Sequence, residues 1–188
     1  MKKTADYKVI LVGDTSVGKT SIIMRFQHDV FNPNHLETVG ASFITKQVDV
    51  LGSPANLNIW DTAGQEKYRS LVPMYTRNAS TAVIVFDLTN PQSLTILQSW
   101  HQQVKEEAPE NCKIVFVGNK LDLQATVDRD SIGKYAADQG VDVFYVSALS
   151  GQGINELFEY ITKSLPSTRY SPTTETISLG NGQKKSCC

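Results

Sequence analysis

Apolar residues run continuously at positions 9–12 (VILV), 81–86 (TAVIVF) and 113–117 (KIVFV). A strand covered on both faces needs no polar alternation, so these runs predict central parallel strands, and residues 141–146 predict a last one. Residues 43–50 alternate instead, through Phe43, Val48 and Val50, and Leu57 and Ile59 answer them in residues 56–60. With Gly52 and Pro54 between, residues 51–55 read as the turn of a hairpin. Helical spacing follows Ile22 and Phe26. It returns in Leu94, Leu97, Trp100 and Val104 behind Pro91, in Ile132, Tyr135 and Ala136, and in Ile154, Leu157, Phe158, Ile161 and Leu165. Residues 30–36 and 61–69 carry neither period. Strands alternating with helices predict a doubly wound α/β domain. Six strands are expected, five parallel and one antiparallel, flanked by about five helices, with ligands at the C-terminal ends of the strands. From Pro166 the composition turns to Ser, Thr, Gly, Asn and Lys. A domain over residues 1–166 and a flexible tail over 167–188 are therefore expected.

Composition narrows this picture without redirecting it. The 188 residues suit one domain with an ample core. Eighteen basic against nineteen acidic side chains leave a net charge of −1, which gives no nucleic-acid surface. Three cysteines, two of them terminal, make no disulfide framework and fit a reducing compartment. The first apolar run is too short for a signal peptide or a membrane span, so the chain is expected to be soluble unless something is added to it.

The chemistry begins where the first strand stops. Gly13, then residues 14–17, then Gly18, Lys19 and Thr20 match G-x-x-x-x-G-K-[ST], the phosphate-binding loop. Glycines let successive N–H groups of Asp14, Thr15, Ser16, Val17, Gly18, Lys19, Thr20 and Ser21 surround an anion, and the following helix aims its positive end there. Lys19 is expected on the β- and γ-phosphates and the Thr20 hydroxyl on Mg²⁺.

The loop leaves the base open: ATPases, kinases and GTPases all use it. Asn119-Lys120-Leu121-Asp122 follows the KIVFV strand. The Asp122 carboxylate can accept from guanine N1–H and the 2-amino group together, whereas adenine offers an acceptor at N1. Leaving Asp122 unpaired would cost about 1–3 kcal/mol. The Lys120 stem would lie over the base, Asn119 would tie this loop to the phosphate loop, and Ser147-Ala148 would add an N–H for the guanine oxygen. In Asp61-Thr62-Ala63-Gly64-Gln65, Asp61 would hold Mg²⁺ through water, Gly64 would approach the γ-phosphate, and Gln65 would orient the attacking water as the catalytic residue. Thr38 is the candidate second Mg²⁺ ligand, provided its loop folds inward. Both loops would then tighten only while a γ-phosphate is present.

With these motifs in this order, residues 7–165 resemble a small GTPase of the Ras superfamily, a P-loop NTPase small G domain, and within it a Rab. WDTAGQEKY (residues 60–68) is close to the Rab form. TVGASF (38–43) and EKYRSLVPMY (66–75) are most similar to the early-endosomal branch. The resemblance implies GTP/GDP and Mg²⁺ as ligands, Phe31 edge-on against the guanine, and Phe43, Trp60 and Tyr75 as an aromatic triad shown to effectors. It also implies an exchange factor, a GTPase-activating protein, a GDP-dissociation inhibitor and a prenylation escort protein as partners. The expected location is the cytoplasmic face of endosomal or other vesicular membranes, cycling with cytosol. Terminal Cys187 and Cys188 match the dual geranylgeranylation site. Two chains give stable anchoring, and Lys184 and Lys185 would add about 1 kcal/mol each on an anionic leaflet.

Four positions depart from the family pattern. Asn78 replaces a glycine, Leu149 replaces the Lys that follows Ser147-Ala148, and Thr15 and Ser16 stand where Ser, Gly or Ala are common. The alternative to a working GTPase is a nucleotide-dependent binding module with little intrinsic hydrolysis. His28, His35 and His101 are expected at the surface, Glu106-Glu107 on a solvated face, and Cys112 in a structural role.

Overall fold

The computed structural model describes residues 4–33, 38, 40–64 and 70–166. Strands β1 (Ala5–Val12), β2 (Ala41–Val50), β3 (Ser53–Thr62), β4 (Thr81–Asp87), β5 (Lys113–Asn119) and β6 (Asp142–Tyr145) form one sheet in the order β2-β3-β1-β4-β5-β6. Among the described residues only the β2–β3 pair is antiparallel. Helices α1 (Lys19–His28), α2 (Val72–Thr76), α3 (Ser93–Glu107), α4 (Arg129–Gln139) and α5 (Ile154–Ser164) cover it.

The unbroken apolar runs have a direct cause. Along β1, Val9 and Leu11 face the layer of Ile22, Ile23, Leu157 and Ile161, on α1 and α5. Ile10 and Val12 face Leu97, Trp100, Val104 and Ile132, on α3 and α4. Successive side chains point to opposite faces, so a strand between two helical layers must be apolar at every position. Val83 and Ile84 repeat the split on β4, and Val115 and Phe116 on β5.

The hairpin is longer than the alternation predicts. Pro54, expected in the turn, belongs to β3 and pairs with Asp49 at the far end of the ladder, next to the last pair. A proline is tolerated at such a margin because few ladder bonds need its missing N–H. The turn narrows to Leu51 and Gly52, both at positive φ, and the Gly52 N–H donates to Asp49 Oδ1. Asp61 and Thr62, expected in a segment without strand, extend β3. α2 has only five residues and too little period to be read from sequence.

His101 corrects an expectation of surface exposure. It is buried, its Nδ1 lies 2.7 Å from the Tyr135 hydroxyl, and its ring meets Phe116 edge-on. Glu107 is half-buried while Glu106 is exposed, and Gln103 donates to Glu107. Cys112 is half-buried and its thiol is pushed up to about 11 by burial, as a structural cysteine requires. At the far end of the sheet the Tyr7 hydroxyl donates to the Pro166 carbonyl, closing the domain on itself.

Candidate functional site

A cleft of about 450 Å³ opens at the C-terminal ends of β1, β3 and β5. Thr15, Ser16, Gly18, Lys19, Thr20, Ser21, Phe31, Thr38, Gly64, Asn119, Lys120, Asp122, Ala148 and Leu149 line it. Sequence reasoning named all of these. Asp14, Val17, Ser147 and Asp61 do not line the cleft but hold residues that do. Gln65, Cys187 and Cys188 lie outside the described residues.

At the phosphate-loop end, Lys19 is buried with 6% exposure, and its ammonium donates to the carbonyls of Gly13 and Asp14, each at 2.8 Å. Burial pushes the ammonium down to about 8, against the pull of Asp61 and Asp14. An anion in the cleft would restore its ordinary basicity. Gly18, at φ 94, caps α1, and a side chain there would meet Asn119 Nδ2 at 2.3 Å. Gly64 lies against the loop from the other side: a Cβ there would come within 2.4 Å of the Asp14 carbonyl. The loop is therefore enclosed by two close approaches that only glycine permits, the Asn119 amide at Gly18 and backbone at Gly64.

Three hard oxygens converge beside it. Thr20 Oγ1 lies 2.8 Å from Thr38 Oγ1 and donates to Asp61 Oδ2 at 2.6 Å. Thr38 Oγ1 is 3.4 Å from the same carboxylate oxygen. Octahedral Mg²⁺ at 2.0–2.1 Å sets neighbouring ligands about 2.9 Å apart, which the two hydroxyls already match. With its proton given to Asp61, the Thr20 oxygen keeps lone pairs for a cation. The donor set fits Mg²⁺, with Asp61 acting through a hydrogen bond or a water.

At the opposite end, Asn119 joins three segments. Its Nδ2 donates to the Val17 carbonyl at 2.8 Å, and its Oδ1 accepts from the Ala148 N–H at 3.1 Å. The tie to the phosphate loop is thus the one expected. The Ala148 N–H, expected on a guanine oxygen, is engaged by Asn119, so a base oxygen there would have to share it. Asp122 Oδ1 accepts from Ser147 Oγ at 2.5 Å. The Lys120 ammonium is held 2.6 Å from Asp87 Oδ2, which draws its stem across the cleft. Burial opposes ionisation of Asp87, but hydrogen bonds from Lys120 and Thr89 outweigh it and keep the carboxyl below its usual range.

Phe43 and Trp60 are paired across β2 and β3, with ring centres 5.3 Å apart, and Tyr75 on α2 lies 6.5 Å from Trp60. Tyr75 is buried while Phe43 is 60% exposed, so the trio is packing at one end and surface at the other. Asn78 stands at φ 60, the left-handed conformation that glycine adopts freely and asparagine tolerates better than most side chains.

Sequence reasoning missed Asn32, Pro33, Thr62 and Leu123 in the lining. Adjacency to Phe31, Asp61 and Asp122 would have found them. It also missed the holders Asp87, Arg25 and Trp100. Only Asp87 carried a signal, as a carboxylate ending a central strand. No group of three or more His, Cys, Asp and Glu side chains suited to a metal occurs among the described residues, nor any helix long and apolar enough to cross a membrane.

Comparison with known proteins agrees with this geometry. The model of the Ras family matches residues 8–167. GTP-binding protein ypt5 of Schizosaccharomyces pombe is 41% identical over 167 residues, covering 87% of this chain and 79% of the relative. Ras-related protein Rab-22A of Homo sapiens is 42% identical over 167 residues, covering 87% and 85%. Ras-related protein Rab-31 of Mus musculus is 40% identical over 195 residues, spanning the whole of both chains.

Proposed function

Since this chain belongs to the Ras family, and within it to the Rab small GTPases, we propose that its cleft seats guanine at Asp122 and the phosphates at Lys19. GTP hydrolysis is its reaction. The division of labour follows from the residues. The 14–21 backbone binds the phosphates, Lys19 neutralises their charge, and Asn119 fixes the distance between base and phosphate subsites. Thr20 and Thr38, with Asp61 behind them, would hold Mg²⁺, which when bound supplies positive charge to the phosphate oxygens. Gln65 is proposed to align water for attack on the γ-phosphorus, with the bond to the β–γ bridging oxygen breaking. Among the described residues no arginine lines the cleft, and one supplied by an activating protein would be worth roughly 10³–10⁵ in rate.

The observation that carries this reading is the 2.8 Å approach of Thr38 to Thr20, which places a loop residue beside the loop lysine's helix. A γ-phosphate and Mg²⁺ would reward that approach, and their loss would release it. The reading makes Phe43, Trp60 and Tyr75 the surface on which effectors sense the bound nucleotide. It also makes Cys187 and Cys188 prenyl acceptors that bring the domain to the cytoplasmic face of endosomal or other vesicular membranes. Exchange factor, activating protein, GDP-dissociation inhibitor and prenylation escort protein complete the cycle.

The test compares a non-hydrolysable GTP analogue with GDP on the intact chain and on Thr38→Ala, with and without Mg²⁺. The variant should lose Mg²⁺-dependent affinity for the analogue while GDP binding stays close to the parent. Equal losses for both nucleotides would remove Thr38 from the triphosphate state. Gln65→Leu should lengthen the GTP lifetime, and an unchanged lifetime would favour the binding-module alternative.

A further inference from the structure

Arg25, on the last turns of α1, does not line the cleft, yet it spends its donors on the loop that does. Its Nε donates to the Ala148 carbonyl at 3.0 Å and its Nη2 to the Leu149 carbonyl at 2.6 Å. Nη1 is anchored on Asp29, to the carbonyl at 2.9 Å and to Oδ1 at 3.1 Å. A planar guanidinium fixed at one end in this way presents the other two donors in a set geometry, which an ammonium cannot do.

The grip on Leu149 reaches the base reader. In a trans peptide the carbonyl and the following N–H point in opposite directions. The Leu149 carbonyl turned to Arg25 therefore turns the Ser150 N–H away, and that N–H donates to Ser147 Oγ at 3.0 Å. The Ser147 hydroxyl, with a lone pair so engaged, gives its proton to Asp122 Oδ1 at 2.5 Å. An unbroken chain of bonds thus runs from α1 through residues 149, 150 and 147 to the carboxylate that faces the base. Leu149 offers no ammonium of its own at this corner.

We propose that Arg25 is a positioning residue for base recognition, acting through the 147–150 loop to hold Asp122 in register with guanine. The proposal rests on the reading of the cleft as a guanine-nucleotide site. It assigns Arg25 to the base end alone: its bonds to Asp29, Ala148 and Leu149 all fall outside the 14–21 backbone that faces the phosphates.

The test uses the full chain and measures dissociation of GDP and of inosine diphosphate, which lacks the 2-amino group that Asp122 would hold. Arg25→Ala should speed GDP release about 10-fold, the loss of one well-oriented polar contact, and inosine diphosphate release by clearly less, so that the preference for guanine narrows. Arg25→Lys, able to reach one carbonyl, should fall between. GDP release unchanged, or both nucleotides accelerated by one common factor, would overturn the proposal. Should Arg25→Ala fail to fold, the same ratio measured on Arg25→Gln decides. Failure of the parent chain to bind GDP would sink the underlying reading instead, so the two failures are distinguishable.

Discussion

The indole N–H of Trp100 donates to the carboxylate of Asp14 at 2.8 Å, joining the middle of α3 to the phosphate loop. Asp14 also lends its carbonyl to Lys19 and lies under Gly64. Its acidic side chain is thus turned toward a buried tryptophan, while its backbone serves the loop. Trp100→Phe keeps an aromatic ring and removes the donor. It should cost about 1.5–3 kcal/mol of stability, the range for hydrogen bonds to charged groups, read by urea denaturation. GDP release should quicken in parallel. A variant as stable as the parent would show that the bond carries no net weight.

The buried ammonium of Lys19 makes nucleotide binding sensitive to pH on the alkaline side. Its folded-state pKa is lowered from 10.5 to about 8, so between these values the unfolded chain binds the proton that the nucleotide-free fold has released. The stability of the nucleotide-free domain should therefore rise with pH across that window. Phosphates restore the charge, so GDP binding near pH 9 should take up a proton. Affinity should weaken by at most about tenfold per pH unit. Calorimetry in buffers of different ionisation enthalpy measures that proton directly.

His101 acts at acidic pH. Burial, with Lys105 adding to it, holds its imidazole below the ordinary 6.5. The unfolded chain then binds the proton first, so stability present above pH 6.5 should be lost as pH falls toward the folded-state value. His101→Gln should flatten this part of the stability profile. An unaltered slope would assign it to other groups.

Gly64→Ala places a Cβ 2.4 Å from the Asp14 carbonyl, where backbone must give way. The β3 end would be pushed off the phosphate loop. GTP hydrolysis should fall on the order of 10²-fold, the scale for losing one preorganised donor, while the effect on GDP affinity stays smaller. Single-turnover kinetics and GDP titration separate the two.

Asp122→Asn exchanges an acceptor pair for one acceptor and one donor. Guanine nucleotides should lose at least about tenfold in affinity, and xanthine nucleotides, with an oxygen in place of the 2-amino group, should gain. Competition between GTP and XTP reads both directions at once. Unchanged preference would move base recognition elsewhere in the cleft.

Much of this was legible from local order. Val9 to Val12 announce a strand between two layers because every position is apolar, and Gly13 to Thr20 announce an anion site because the glycines fall where backbone must close in. Asp122 was legible through its place after a central strand. Long-range pairings were not. Trp100 and Asp14 are 86 residues apart, and Arg25 and Ala148 are 123 apart, with no periodicity linking either pair. His101 sits on a helix whose apolar stripe gives no sign of Tyr135 waiting across it. Pro54 misled because a residue unfit for a strand interior is harmless near its margin.

The bond from Tyr7 to the Pro166 carbonyl has a geometric corollary. Tyr7 and Gly13 stand at opposite ends of one extended segment, so about 20 Å of strand separates this seam from the loop lysine's neighbourhood. Pro166, the last described residue, thus sits at the floor of the domain, while the cleft opens at the roof. The cleft and the carbonyl of Pro166 are thereby kept apart by the length of a single strand, so a substitution at one seam should leave the other undisturbed.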